Sequence, residues 1–206
     1  MTQQSLRTFG AVCGYSAAVL NAIGFVWYFL VIGETQTNPV TWLLWLVETG
    51  VSLWLYRSHT GDRAKWAAEA VSLIGVIGIS FHLFVLQPMQ GNGGTVWQTV
   101  EPIDYLVAIL AIVALVYYWR SQKQGKTASR RALWIFQAAL LTAILPLWRT
   151  VLDDPTSEPF WPWMIWTLAF VLQTFCAWLR WEDRTTLLNP INYAITHGVV
   201  ALIVIL

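Results

Sequence analysis

Seven apolar stretches, each about 17 to 23 residues long and cut from the next by polar or turn-forming residues, dominate this sequence. They run Gly10–Ile32, Val40–Tyr56, Trp66–Leu86, Ile103–Trp119, Ala132–Leu152, Phe160–Leu179 and Leu187–Leu206. A helix rises about 1.5 Å per residue, so each stretch is long enough to cross a hydrocarbon core of ~30 Å, allowing for its flanks. Strands with open edges would leave N–H and C=O groups unpaired in lipid, so these stretches are expected to be helices.

Composition points the same way. The chain is 57% hydrophobic and only 11% charged, whereas soluble domains carry about a quarter of their residues as charges. The formal net charge of +1 offers no broad basic field to nucleic acid, so the expected partners are the lipid bilayer and a small solute. Homo-oligomer formation is left open. Cys13 and Cys176 fall inside apolar runs and read as reduced packing residues. The start, MTQQSLRTFG, leads into an apolar run with no small-residue cleavage site, so it reads as a first span and not as a removable signal.

Basic residues sort by side. Arg7, Arg57, Arg63, Lys65, Arg120, Lys123, Lys126, Arg130, Arg131, Arg180 and Arg184 fall on one side of seven spans, and Arg149 alone on the other. That second side is acidic and turn-rich, with Glu34, Glu101, Asp104, Asp153, Asp154 and Glu158. The positive-inside rule then places the N-terminus in the cytoplasm and the C-terminus outside, as a multi-pass protein of the plasma membrane.

The chain also resembles itself. A displacement of about 121 positions aligns Trp27 with Trp148, Trp42 with Trp163, Trp45 with Trp166, and Asp62-Arg63 with Asp183-Arg184, without a gap. This offset pairs the first three spans with the last three and leaves Ile103–Trp119 unpaired. A three-span unit has odd parity, so the single helix between the copies keeps them in the same direction. The expected fold is therefore an all-α membrane protein with two parallel three-helix repeats joined by a linker helix. Residues 1–87 form the first repeat, 88–125 an outer loop, linker helix and basic loop, and 126–206 the second repeat.

Local strings strengthen the pattern. TNPVTWLLWLVETGVSLWLY, beginning at a turn and ending in an aromatic cluster, resembles the second helix of a PQ-loop repeat, and AILPLW places Pro146 where such repeats carry the proline of the Pro-Gln pair. Leu147 stands where the glutamine would be. With the three-one-three pattern, these strings resemble the SWEET and PQ-loop superfamily, which includes the PnuC vitamin-precursor carriers. The resemblance implies a transporter with its site between two halves, a hinge at Pro146, a substrate-facing Trp54 and a substrate-binding Asn192.

Several further residues are singled out. Trp178 sits near a span end like Trp54, and for both, stacking on a ring-containing solute competes with anchoring at the membrane interface. Trp97, Trp119, Trp161 and Trp181 read as such anchors. Trp27 and Trp148 are repeat-related and read either as a gate or as paired packing. Pro39 and Pro162 read as helix starts, whereas Pro146 interrupts a span. Glu48, deep in the second span, reads as a proton or cation acceptor or as a hydrogen-bonded structural acid. Glu69 reads as a helix-dipole partner. Asn189, Asn192, Thr196 and His197 recur at helical spacing on one face of the last span.

The expectation is a transporter that moves a small polar, ring-containing solute (a sugar, nucleoside or vitamin precursor) by alternating access. Its candidate substrate-binding residues are Glu48, Trp54, Trp178, Asn192 and His197, and its candidate gate or hinge residues are Trp27, Trp148 and Pro146. No catalytic residue, metal or cofactor is expected. His82 and His197 lie at different depths in the repeat alignment, which argues against a haem. The alternative is a receptor or scaffold on the same helical frame that transports nothing.

Overall fold

The computed structural model describes residues 2–35, 38–59, 62–91, 97, 100–121, 134–135, 137–138, 141–180 and 185–206. Among them the regular elements are helices: α1 Gln3–Val31, α2 Pro39–His59, α3 Arg63–Phe81, α4 Pro102–Ser121, α5 Leu145–Asp153, α6 Phe160–Leu179 and α7 Thr185–Ile205. The helix of α3 continues through a π-helical stretch, His82–Leu86, into a final turn, Gln87–Met89. Among the described residues, five helices are long and apolar enough to cross a membrane: Gln3–Val31, Arg63–Met89, Pro102–Ser121, Phe160–Leu179 and Leu187–Ile205. α2 has 21 residues, but Glu48 and three tryptophans lower its hydropathy. The helix before α5 is described only in part, at residues 134–135, 137–138 and 141–143.

Polar residues start these helices. Thr2 Oγ1 accepts from the Ser5 amide, Asn38 Oδ1 from the Val40 amide at 3.0 Å, and Asp62 Oδ1 from the Ala64 amide at 3.1 Å. Each pairs an amide that a first turn otherwise leaves orphaned. Pro39 opens α2, and Pro162 lies in the first turn of α6, where a missing N–H costs nothing. Pro146 follows a break at Ile144 and begins a new helical run, α5.

Side-chain contacts fix the helix directions. The starts of α3 and α7 meet where Asn189 bonds Glu69, the start of α3 meets the end of α6 where Asp62 pairs with Arg180, and the end of α5 meets the start of α4 where Arg149 pairs with Asp104. One end of the bundle thus carries Arg7, Arg57, Arg63, Lys65, Arg120 and Arg180. The other carries Glu101, Asp104, Asp153, Asp154 and Glu158, with Arg149 the one described Lys or Arg there. Lys123, Lys126, Arg130, Arg131 and the Asp183-Arg184 pair lie outside the described residues.

α1 packs on α3, and α3 on α2; α5 packs on α7, and α7 on α6. Between these groups α1 crosses α6, and α2 touches α5. The α1–α6 crossing is close because α1 presents small residues to it. A Cβ on Gly14 would stand 2.2 Å from the Ala64 carbonyl oxygen and 2.7 Å from Cys176 Sγ, and one on Gly24 would stand 2.4 Å from Trp166 Nε1. Both free cysteines, Cys13 and Cys176, are buried in this packing.

Candidate aromatic cavity and polar layer

The largest buried side chains gather where α1, α2, α6 and α7 meet. In α2, Trp42 and Trp45 are three residues apart and share a face; their ring centroids lie 5.1 Å apart with planes at 81°. In α6, Trp163 and Trp166 reproduce this at 5.1 Å and 82°. The cross-contacts match as well: Trp42 to Trp166 is 6.4 Å, and Trp45 to Trp163 is 5.8 Å. His197 lies among them, with Trp45, Trp163, Trp166, Phe170 and Tyr193 all within ring-contact distance.

These rings enclose a cavity of about 20 Å³, walled by Trp42, Trp45, Trp166, Phe170, Tyr193 and His197 and completed by α1 and α3. That volume holds about one water molecule. His197 Nδ1 lies 2.8 Å from the Tyr193 carbonyl oxygen; a carbonyl only accepts, so the proton sits on Nδ1 and Nε2 is an acceptor. The indole N–H groups of Trp42 and Trp166 are buried and donate to no partner among the described residues. The residues of the walls therefore offer flat apolar faces and also carry two indole donors and an imidazole acceptor.

A polar layer lies one helical turn toward the basic end. Asn192 Nδ2 donates to Gln137 Oε1 (2.8 Å), Gln137 Nε2 to Asn189 Oδ1 (3.1 Å), and Asn189 Nδ2 to Glu69 Oε1 (2.9 Å). Glu48, Asn192, Tyr193, Thr196 and Trp45 line a second cavity of about 10 Å³ beside this chain. At the acidic end, Tyr28 Oη and Trp163 Nε1 each donate to the Glu158 carboxylate at 3.1 Å. Burial pushes the Glu158 carboxyl up to about 8, against the two donated hydrogen bonds, which favour the charged form.

Of the residues expected to bind solute, the structure brings Glu48, Asn192 and His197 to these cavities. Trp54 and Trp178 stand apart, 55% and 58% exposed on the outside of the bundle. Such placement at helix ends suits interfacial anchoring. Trp27 and Trp148 do not face each other: Trp27, 41% exposed, stacks on Trp161, while Trp148 points its Nε1 at the Thr196 carbonyl oxygen, 3.5 Å away. Pro146 is buried at the start of α5. Glu69 is fully buried beyond the first turn of α3, so its hydrogen bond to Asn189, and not the helix dipole, explains its place. Trp97, Trp119 and Trp161 are exposed; Trp181 lies outside the described residues.

The sequence carries a signal for this aromatic centre. Trp42, Trp45, Trp163 and Trp166 form a Trp-x-x-Trp spacing in each half, at the same 121-residue offset. Beyond marking the repeat, two large rings on one helix face in both halves predict a shared aromatic centre. Tyr193 falls on the same face of α7 as His197. No protein-family model, curated protein or solved structure matches the chain.

Proposed function

We propose that the chain is a membrane carrier for a small, polar, ring-containing solute, working by rocking two parallel three-helix units, α1–α3 and the unit ending in α5–α7, about a site between them. In this reading the chain has seven spans, α4 is the linker, the basic end faces the cytoplasm, and the fold is of the SWEET and PQ-loop kind. The observation that carries it is the matched pair of Trp-x-x-Trp faces. Each unit contributes one pair, the two have the same internal geometry, and Trp42, Trp45 and Trp166 of these pairs wall one central cavity with His197, while Trp163 packs behind it against Trp45 and His197. Indole faces stack on planar or ring-shaped solutes, and the Trp42 and Trp166 N–H groups and His197 Nε2 supply directional contacts.

In this reading the conformer is closed at both ends. The Tyr28–Glu158–Trp163 cluster ties α1 to α6 at the acidic end, and Arg180 ties α6 to Asp62 and to the Arg7 carbonyl oxygen at the basic end. Opening one end while the other stays tied gives alternating access, with the break before Pro146 as the hinge.

Uptake by proteoliposomes tests the proposal, with labelled sugars, nucleosides and vitamin precursors supplied in turn. Saturable uptake of at least one, weakened when Trp45 or Trp166 is changed to Phe, is the expected result; rates equal to those of empty vesicles for all of them overturn it. A second reading, a receptor or scaffold that transports nothing, is favoured by the small size of the central cavity, about 20 Å³. It predicts that cross-linking both ends shut leaves the chain's activity intact.

A further inference from the structure

Along the stretch of α3 from Lys65 to Ser72, the bundle buries oxygen atoms that accept nothing. Asn21 of α1 donates its Nδ2 to the Ala68 carbonyl oxygen and to Ser72 Oγ, and Gln173 of α6 donates its Nε2 to the Lys65 carbonyl oxygen. Backbone carbonyls only accept, so the amide nitrogens must lie on those sides. The atoms left over are therefore oxygens. Asn21 Oδ1, Gln173 Oε1, Glu69 Oε2 and, from α2, Ser52 Oγ are all buried and hydrogen-bonded to nothing among the described residues. The four residues are at most 2% exposed.

Three helices thus contribute an acceptor with no donor, and α2 adds the Ser52 hydroxyl, which can donate or accept. Glu48, one turn from Ser52 on α2, adds a second buried carboxyl to this layer, beside Tyr193 and Asn192. The nearest basic side chain on this stretch, Lys65, lies one turn from Glu69 on the same helix and gives no hydrogen bond to Oε2. A buried carboxylate oxygen and amide oxygens without donors are costly at bilayer depth, and a positive charge relieves that cost. Oxygen donors of this kind suit hard cations. The Asn192–Gln137–Asn189 chain leads from the cavity beside Glu48 to Glu69 Oε1.

We propose that this layer binds one monovalent cation, an alkali ion or a proton, at Glu69 Oε2, with the amide oxygens of Asn21 and Gln173 as neighbours. The site stands whether or not the chain carries a solute.

Thermal unfolding of the full chain in detergent tests it, at fixed ionic strength, in lithium, sodium, potassium or choline chloride. If the ligand is an alkali ion, the midpoint near saturation exceeds that in choline by about 5 °C or more. If it is a proton, the salts are equivalent and acidification in choline gives a rise of that size. The acidification arm is run in an E158Q background, which removes the buried carboxyl that titrates at the acidic end. E69Q, a neutral isostere, removes whichever dependence is seen, and E101Q, altered at an exposed carboxylate, keeps it. Tryptophan emission of the E158Q chain, titrated with sodium against choline and with acid, reads the same binding by a second signal. Identical midpoints and emission in all salts and at all pH values overturn the proposal, as does a dependence that survives E69Q.

Discussion

His197 of α7 lies flat against Trp45 of α2, ring centroids 5.2 Å apart and planes 12° from parallel. The contact joins the last helix to the second across the centre of the bundle, and its geometry rests on the Nδ1 bond to the Tyr193 carbonyl oxygen. Changing His197 to Ala leaves a void among five aromatic rings and is expected to cost about 2 kcal/mol or more. His197→Phe keeps the stack and loses one hydrogen bond, a cost of about 1 kcal/mol. Denaturation in detergent, followed by tryptophan fluorescence, checks the order of the two.

Gly24 seats Trp166 against α1. An added Cβ meets the indole ring at 2.4 Å from Nε1, so G24A forces Trp166 toward the cavity and is expected to destabilise by about 1 to 3 kcal/mol. A Cβ on Gly33 meets nothing within 4 Å, and G33A is the control, within about 0.5 kcal/mol of the parent. Equal stabilities for the two variants contradict the close α1–α6 crossing.

The Arg149–Asp104 and Arg180–Asp62 ion pairs differ in burial. Arg149 makes two hydrogen bonds to Asp104, at 3.1 and 3.2 Å, and the Asp104 side chain is 0% exposed, whereas the Asp62 side chain beside Arg180 is 21% exposed. Removing Arg149 strands a buried carboxylate that otherwise accepts from Asn38 Nδ2 and the Glu101 amide. R149M is therefore expected to cost about 3 kcal/mol. R180M leaves Asp62 able to reach water and to keep capping α3, and costs about 1 kcal/mol. Urea or thermal midpoints of the two variants decide the order.

Much of the helical layout was legible because it depends on run length and on the sorting of charge, both local properties of the chain. Glu48, Asn192 and His197 were legible for a related reason: polar side chains inside apolar runs turn toward a partner or cavity. Trp54 shows where that reasoning stops. It lies about two and a half turns beyond Trp45, on the opposite side of α2, so chemistry that looks alike in the sequence is turned to the outside. Glu69 shows a second limit. Its partner Asn189 is 120 positions away, and its companions Asn21 and Gln173 come from two other helices, so only packing reveals that their oxygens share one stretch of α3.

Glu158 gives the chain a stability that depends on pH. Its carboxyl sits at about 8 in the folded state against 4.5 for the free group, because burial penalises the charge more than Tyr28 and Trp163 offset it. Below the free-group value both states hold the proton, and the contribution to folding is fully present. Between the two values the folded chain binds a proton that the unfolded chain has lost, so stability falls as pH rises through this window and the contribution is gone above about 8. E158Q cannot ionise but can still accept from the Trp163 indole, so its stability should vary less over the same range. Midpoints of the two chains in choline chloride, measured from about pH 5 to about pH 9, should differ in slope, steeper for the unaltered chain; parallel curves would remove Glu158 as the titrating group.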